Sequence, residues 1–171
     1  MRSYSKTLFY LLAFIAGAVV AVLLGAATNL MRFPAAEETT VPKTFSQMVA
    51  EAQAEVPSIK AVDAYQMVQT DPNTLIVDVR DPADIAVTGI IPGAINVTLG
   101  TLTYKADHEV PEAWRDPSFA DFSRPIITTC ETGEMAALAG KLLKDMGYTN
   151  VYILEGATVA WKEAGYQTIA Q

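Results

Sequence analysis

Apolar and polar positions divide the 171-residue chain into an unbroken apolar start and an alternating remainder. Residues 7–31, "TLFYLLAFIAGAVVAVLLGAATNLM", contain no charge. About 20 apolar residues span a bilayer core, so this run predicts one transmembrane helix within an anchor region of residues 1–31. A cleaved signal peptide is the competing reading. Arg2 and Lys6 supply its basic start, and Gly25, Ala26 and Ala27 its small-residue cleavage site. The run is longer than the ~7–15 apolar residues of a typical signal peptide, which favours the uncleaved anchor.

Residues 32–57 follow as a polar linker that ends in a short amphipathic helix. Phe45, Met48, Val49, Ala52 and Val56 recur at helical spacing after Thr44, a capping residue. Over residues 58–171, short apolar β-branched runs alternate with helical patterns. Residues 58–60, 74–79 ("TLIVDV"), 94–99 ("AINVTL"), 125–129 ("PIITT") and 151–155 ("VYILE") read as strands. Residues 61–69, 81–87, 136–147 and 158–165 read as helices, and "TDPN" between the first helix and second strand reads as a turn. Residues 101–124 lack a period and predict a surface wrap with one short helix. Strands alternating with helices imply an α/β domain whose parallel sheet is covered on both faces.

Charge sharpens this division. Arg2, Lys6 and Arg32 flank the apolar run, so the remainder carries 9 of the 12 basic residues and all 19 acidic ones, a net charge of about −10. Such a domain repels nucleic acid and anionic lipid heads. Arg2, Lys6 and the terminal amine precede the apolar run, and Arg32 and Lys43 follow it. The short tail favours an inside N-terminus, with the domain on the extracytoplasmic, periplasmic side of a membrane it crosses once. Ala13, Gly17, Ala21 and Gly25 fall at spacing four, a stripe that permits close contact with a membrane-protein partner in lipid. Small residues are also simply common in membrane helices.

The chemistry centres on "TTCETGEMAALAG", residues 128–140, which holds the one cysteine, Cys130. A single thiol excludes an internal disulfide and leaves no second cysteine to resolve it. With one histidine, His108, the described pattern lacks a His/Cys metal set, and no metal or cofactor is expected. In parallel sheets, ligands bind outside the carboxyl ends of strands. Cys130 falls there, between a strand and a helix starting near Met135 or Ala136. Backbone N–H groups and a helix N-terminus at that place stabilise a thiolate and an anion built on its sulfur.

"LIVDVRDPADIAVTGIIPGAINV" and "PIITTCETGEMAALAGKLLKDMGYTNVYILEGATVAWKEAGY" resemble the two signatures of the rhodanese-like superfamily, over residues 58–167. The resemblance implies a small α/β domain with a central, mainly parallel sheet of five strands flanked by helices. It places Cys130 at the sulfur-accepting cysteine, which in that family holds a sulfane sulfur as a persulfide and passes it to an acceptor. Glu131, Thr132, Gly133, Glu134 and Met135 take the cradle loop, at the six-residue length of sulfurtransferases rather than the longer loop of related dual-specificity phosphatases. Asp78 and Arg80, at the end of the second strand, either orient that loop or form a structural ion pair, with Asp84 the expected partner of Arg80.

The chain departs from the pattern at several family positions. Met135 and Ala136 stand where many members have Arg-Ser, Ile90 where histidine is usual, and Ala157 where a second glycine is usual. Glu131 and Glu134 bracket the cysteine, and a carboxylate beside a thiolate disfavours its ionised form and repels dianions such as thiosulfate. These substitutions leave two functions in contention. One is a membrane-anchored sulfurtransferase that needs a sulfur donor and an external thiol acceptor. The other is a catalytically degenerate docking subunit of a membrane complex. Phosphatase or arsenate reductase chemistry needs a cation on the oxyanion, which neither Met135 nor Ala136 supplies. Trp161 and Tyr166 read as packing residues, and His108 has no link to Cys130.

Overall fold

The computed structural model describes residues 41–170. The predicted anchor lies outside them, as do its alternative signal peptide and the small-residue stripe. Among the described residues, no helix is long and apolar enough to cross a membrane.

Five strands form one sheet: β1 (Ser58–Ile59), β2 (Leu75–Asp78), β3 (Ile95–Asn96), β4 (Ile126–Thr129) and β5 (Val151–Leu154). Their order is β1-β5-β4-β2-β3, and every pairing is parallel. The helices among the described residues are α1 (Phe45–Glu55), α2 (Ala61–Thr70), α3 (Pro82–Thr88), α4 (Leu99–Lys105), α5 (Glu134–Asp145) and α6 (Ala157–Glu163). One isolated antiparallel bridge, Ile90 with Ile169, closes the C-terminal tail onto the domain.

The two-residue period of a strand sends alternate side chains into two cores. Leu75, Val77 and Ile126 join the core under α1 and α5, whereas Ile76 and Ile127 join the core under α2 and α6. Burial on both faces explains why β2 and β4 read as continuous apolar runs. α1 begins in a capping box, in which Thr44 and Gln47 satisfy each other's backbone N–H groups. Its buried Val49 and Ala52, with Val56 beyond it, pack against α5. The helix read as lying between linker and domain therefore shares the main core.

α5 sits close on the sheet because Gly140 has no side chain. A Cβ there would lie 3.2 Å from Val56 Cγ1, 3.3 Å from Thr128 Oγ1 and 3.4 Å from Ile153 Cγ1. Glycine costs a helix interior about 1 kcal/mol, and here it permits the approach that aims the start of α5 at Cys130.

Two elements differ from the sequence reading. The run "AINVTL" is a strand only at Ile95 and Asn96, and Leu99 already opens α4. Asn96 explains the early end: its side-chain amide donates to the carbonyls of Asp78 (2.9 Å) and Arg80 (2.8 Å). Residues 101–124 hold most of α4 and two 3-10 turns, Glu112–Trp114 and Pro117–Phe119, rather than one short helix. Short polar turns of this kind leave no period to detect.

Candidate active site

β4 ends at Thr129, and Cys130 is the first residue past the carboxyl edge of the sheet. Residues 130–133 turn directly into α5, which starts at Glu134, a residue or two earlier than expected. Gly133 makes the turn with φ 121°, where side chains are strained, although an added Cβ would meet nothing within 4 Å. The backbone angle, not crowding, calls for glycine. From this turn the Gly133 N–H donates to Cys130 Sγ at 3.1 Å. Cys130 is 3% exposed and lines a cavity of about 640 Å³ with Glu131, Thr132, Glu134 and Met135 of the loop and Arg80 and Thr88 opposite.

The orientation of the loop is imposed by α6. The Thr158 hydroxyl and N–H both donate to the Cys130 carbonyl, at 2.6 and 3.2 Å, and the Val159 N–H donates to the Glu131 carbonyl at 3.1 Å. The described peptides are all trans, so each N–H points opposite to the carbonyl of its own plane. With the carbonyls of Cys130 and Glu131 pulled toward α6, the N–H groups of Glu131 and Thr132 are turned away from it. Neither has an acceptor within the described chain. Thr128 anchors the other side, donating its hydroxyl to the Ala136 carbonyl at 2.9 Å. The first intrahelical donor of α5 is Ala137, so the amides before it face the loop, as at any helix N-terminus.

Arg80 joins this loop to β2. Its Nε donates to Asp78 Oδ1 at 2.9 Å, its Nη1 to Glu131 Oε2 at 2.7 Å and to the Thr88 hydroxyl at 2.6 Å, and its Nη2 to the Gly89 carbonyl at 2.9 Å. The Arg80 backbone N–H also donates to Asp78 Oδ1, at 3.1 Å. Asp78 is fully buried and the Arg80 side chain is 5% exposed. Hydrogen bonding to Asp78 raises the guanidinium above its ordinary value. The expected Arg80–Asp84 ion pair does not form. Arg80 precedes α3, so helical i,i+4 geometry does not apply to it, and its side chain folds back over the strand end. The Asp84 carbonyl instead accepts the Thr88 hydroxyl at 2.9 Å.

The two loop glutamates each have a hydrogen-bond partner. Glu131 takes Arg80. Glu134 accepts the Thr132 hydroxyl, and that bond, followed by the one from its own backbone N–H, holds its carboxyl below the usual range. A carboxylate in the first turn also complements the helix dipole. Asp81 and Asp84 join them in lining the cavity, which makes its charged lining acidic apart from Arg80.

The structure thus brings together Cys130, Glu131, Thr132, Glu134, Met135 and Arg80 around one cavity, with Asp78 behind Arg80 and Gly133 under the sulfur. Reading the sequence overlooked Thr158, Thr88 and Asp81. Thr158 carries the clearest signal, a threonine opening a helix right after "LEGA". His108 lies elsewhere. Its Nε2 is 2.8 Å from the Phe119 carbonyl, which only accepts, so that nitrogen carries the proton. Its ring packs on Phe122 at 4.2 Å between centroids. Tyr166 stacks on Tyr65 at 4.3 Å beside Trp161, in the packing role expected of it. Among the described residues, no group of His, Cys, Asp and Glu is placed to hold a metal ion.

Residues 60–164 match the family model of the rhodanese-like domain. A thiosulfate sulfurtransferase, GlpE, of Shewanella oneidensis is 32% identical over 109 residues, spanning 63% of this chain and 96% of the relative. A solved structure from Rhodopseudomonas palustris, of unknown function and described as a possible tyrosine phosphatase, is 30% identical with a TM-score of 0.70, over 77% of this chain and 98% of its own. A polysulfide-sulfur transferase homodimer from Wolinella succinogenes is 28% identical with a TM-score of 0.58, over 74% of this chain and 88% of that one.

Proposed function

The chain belongs to the rhodanese-like family, and on that premise we propose that it is a sulfurtransferase carrying sulfane sulfur as a persulfide on Cys130. The observation that carries this reading is the cradle: one N–H on Sγ, two neighbouring N–H groups without acceptors, and the start of α5, all beside a cavity that the cysteine helps to line. Fixed donors of this kind stabilise negative charge that develops on a terminal sulfur. The named activities of the Shewanella and Wolinella relatives support the same chemistry.

With an organic persulfide as donor, the Cys130 thiolate attacks the outer, sulfane sulfur. The Sγ–S bond forms as the donor S–S bond breaks, and the donor leaves as its thiolate with the electron pair. An acceptor thiolate then attacks the outer sulfur of the Cys130 persulfide, takes it, and releases the Cys130 thiolate. Because the chain has no second cysteine, the acceptor is external.

The phosphatase description of the Rhodopseudomonas neighbour fits this site less well. Phosphoryl transfer needs a cation on the phosphoryl oxygens, and among the described residues the one cation lining this cavity, Arg80, is held by two carboxylates. A docking module without turnover differs from the proposal in one measurable respect. Sulfur transfer from a persulfide donor to an acceptor thiol is expected with the wild-type protein and lost in Cys130→Ser. Equal rates in both would remove Cys130 from the mechanism.

The apolar run of residues 7–31 supports a membrane tether with the domain on the extracytoplasmic side, and Ala13, Gly17, Ala21 and Gly25 suit contact with a membrane-protein partner. Retention in membranes through alkaline carbonate extraction, and digestion of the domain by external protease only, are the expected results. Release of a soluble, shortened protein would establish the signal-peptide alternative.

A further inference from the structure

We propose that Glu131 sets the charge class of the sulfur donor, so that the site accepts donors with a cationic or neutral body and turns away dianions such as thiosulfate. This rests on the sulfurtransferase reading and deepens it. Arg80 is the cation an anionic donor would seek, and Glu131 already holds its Nη1 at 2.7 Å. The Arg80 side chain is only 5% exposed while Glu131 is 43% exposed, so Glu131 is the solvent-facing member of the pair. Asp78 takes the opposite side of the guanidinium. Arg80 therefore shares its single charge between two carboxylates, and the trio is net negative. Asp81, Asp84 and Glu134 add three more negative groups to the lining, and no lysine or second arginine among the described residues offsets them.

Low-dielectric walls focus such a field onto the entering molecule. Val87 and Leu99 with Met135 give the cavity an apolar wall, of which Val87 is 84% and Met135 40% exposed. A short hydrocarbon arm ending in an ammonium group fits that combination. An anionic donor must first displace Glu131 from Arg80.

The test uses the full chain in mild detergent and organic persulfides of one length, with ammonium, acetamide or carboxylate at the far end, alongside thiosulfate. The rate of sulfur loading onto Cys130 is read by intact mass. The expected order in the wild type is ammonium over acetamide over carboxylate, about tenfold per step, with thiosulfate slowest. Added salt narrows that spread by screening, a readout that needs no variant. Glu131→Gln narrows it further by speeding the carboxylate donor and thiosulfate about tenfold. A flat or reversed order in a wild type that loads sulfur overturns the proposal and leaves the sulfurtransferase reading standing. An unchanged spread in Glu131→Gln removes Glu131 from the role. Loading by none of the four donors overturns both readings together.

Discussion

Asp78→Ala isolates the role of the buried cation. In the wild type, Asp78 accepts hydrogen bonds from Nε, Nη2 and the backbone N–H of Arg80. It is itself fully buried, and the arginine side chain is 5% exposed. Truncation leaves Glu131 on Nη1 but strips the counter-charge from the inner edge of the guanidinium. Stranding one member of a buried pair costs about 3–5 kcal/mol, about a fifth or more of the ~5–15 kcal/mol that holds a typical domain together. With a urea dependence of about 2 kcal/mol per molar, the unfolding midpoint falls by about 2 M. Fluorescence of Trp161, which is buried in the α2–α6 core, follows the transition. Asp78→Ala combined with Arg80→Met removes both charges and is expected to recover more than half the loss, since an apolar replacement of a buried pair is close to neutral. A midpoint shift below about 0.5 M in the single variant, or a double variant no more stable than it, would refute the reasoning.

Alkaline pH probes the far side of the domain. Burial, with the charge of Asp107 second, pushes the Tyr148 hydroxyl up to about 12, whereas the unfolded chain ionises near pH ~10. A raised folded-state value keeps this contribution intact below about pH 10 and loses it as pH climbs toward about 12, so unfolding is expected to accelerate across that window. Tyr148→Phe lacks this component, yet is about 1 kcal/mol weaker at neutral pH because it gives up a hydroxyl shared between the Ala106 and Phe119 carbonyls; identical pH profiles would rule the effect out. At Gly140, alanine gains about 1 kcal/mol of helix propensity against contacts of 3.2–3.4 Å and is expected near neutral. Valine there overpacks the helix–sheet seam and loses about 2 kcal/mol in the same urea assay, and equal stability of the two variants would contradict so close an approach.

The central strands were legible because each is a short apolar run between helical periods, as with Leu75, Ile76 and Val77. The position of Cys130 was legible from the same alternation, since a residue directly after a parallel strand has only the sheet's carboxyl edge to occupy. Local rules misled where their geometric premise failed. Asp84 follows Arg80 by four, but Arg80 is not helical, and its partner Glu131 lies 51 residues away, beyond the reach of any spacing rule. Sequence shows that the loop glutamates lie near Cys130 but not which groups they hold, Arg80 for Glu131 and Thr132 for Glu134. Ala157 shows a further limit. It stands where the resemblance expects a glycine, its backbone adopts φ 52°, in the region that favours glycine, and the amides that follow it hold the carbonyls of Cys130 and Glu131.

The central claim is that Cys130 carries transferable sulfur in a cradle of backbone amides. Intact mass spectrometry of the full chain after exposure to organic persulfides tests it most directly. A gain of one sulfur atom on Cys130, its removal by an acceptor thiol, and no gain in Cys130→Ser are expected. A wild-type protein that never gains that atom, with any of the donors, would contradict it.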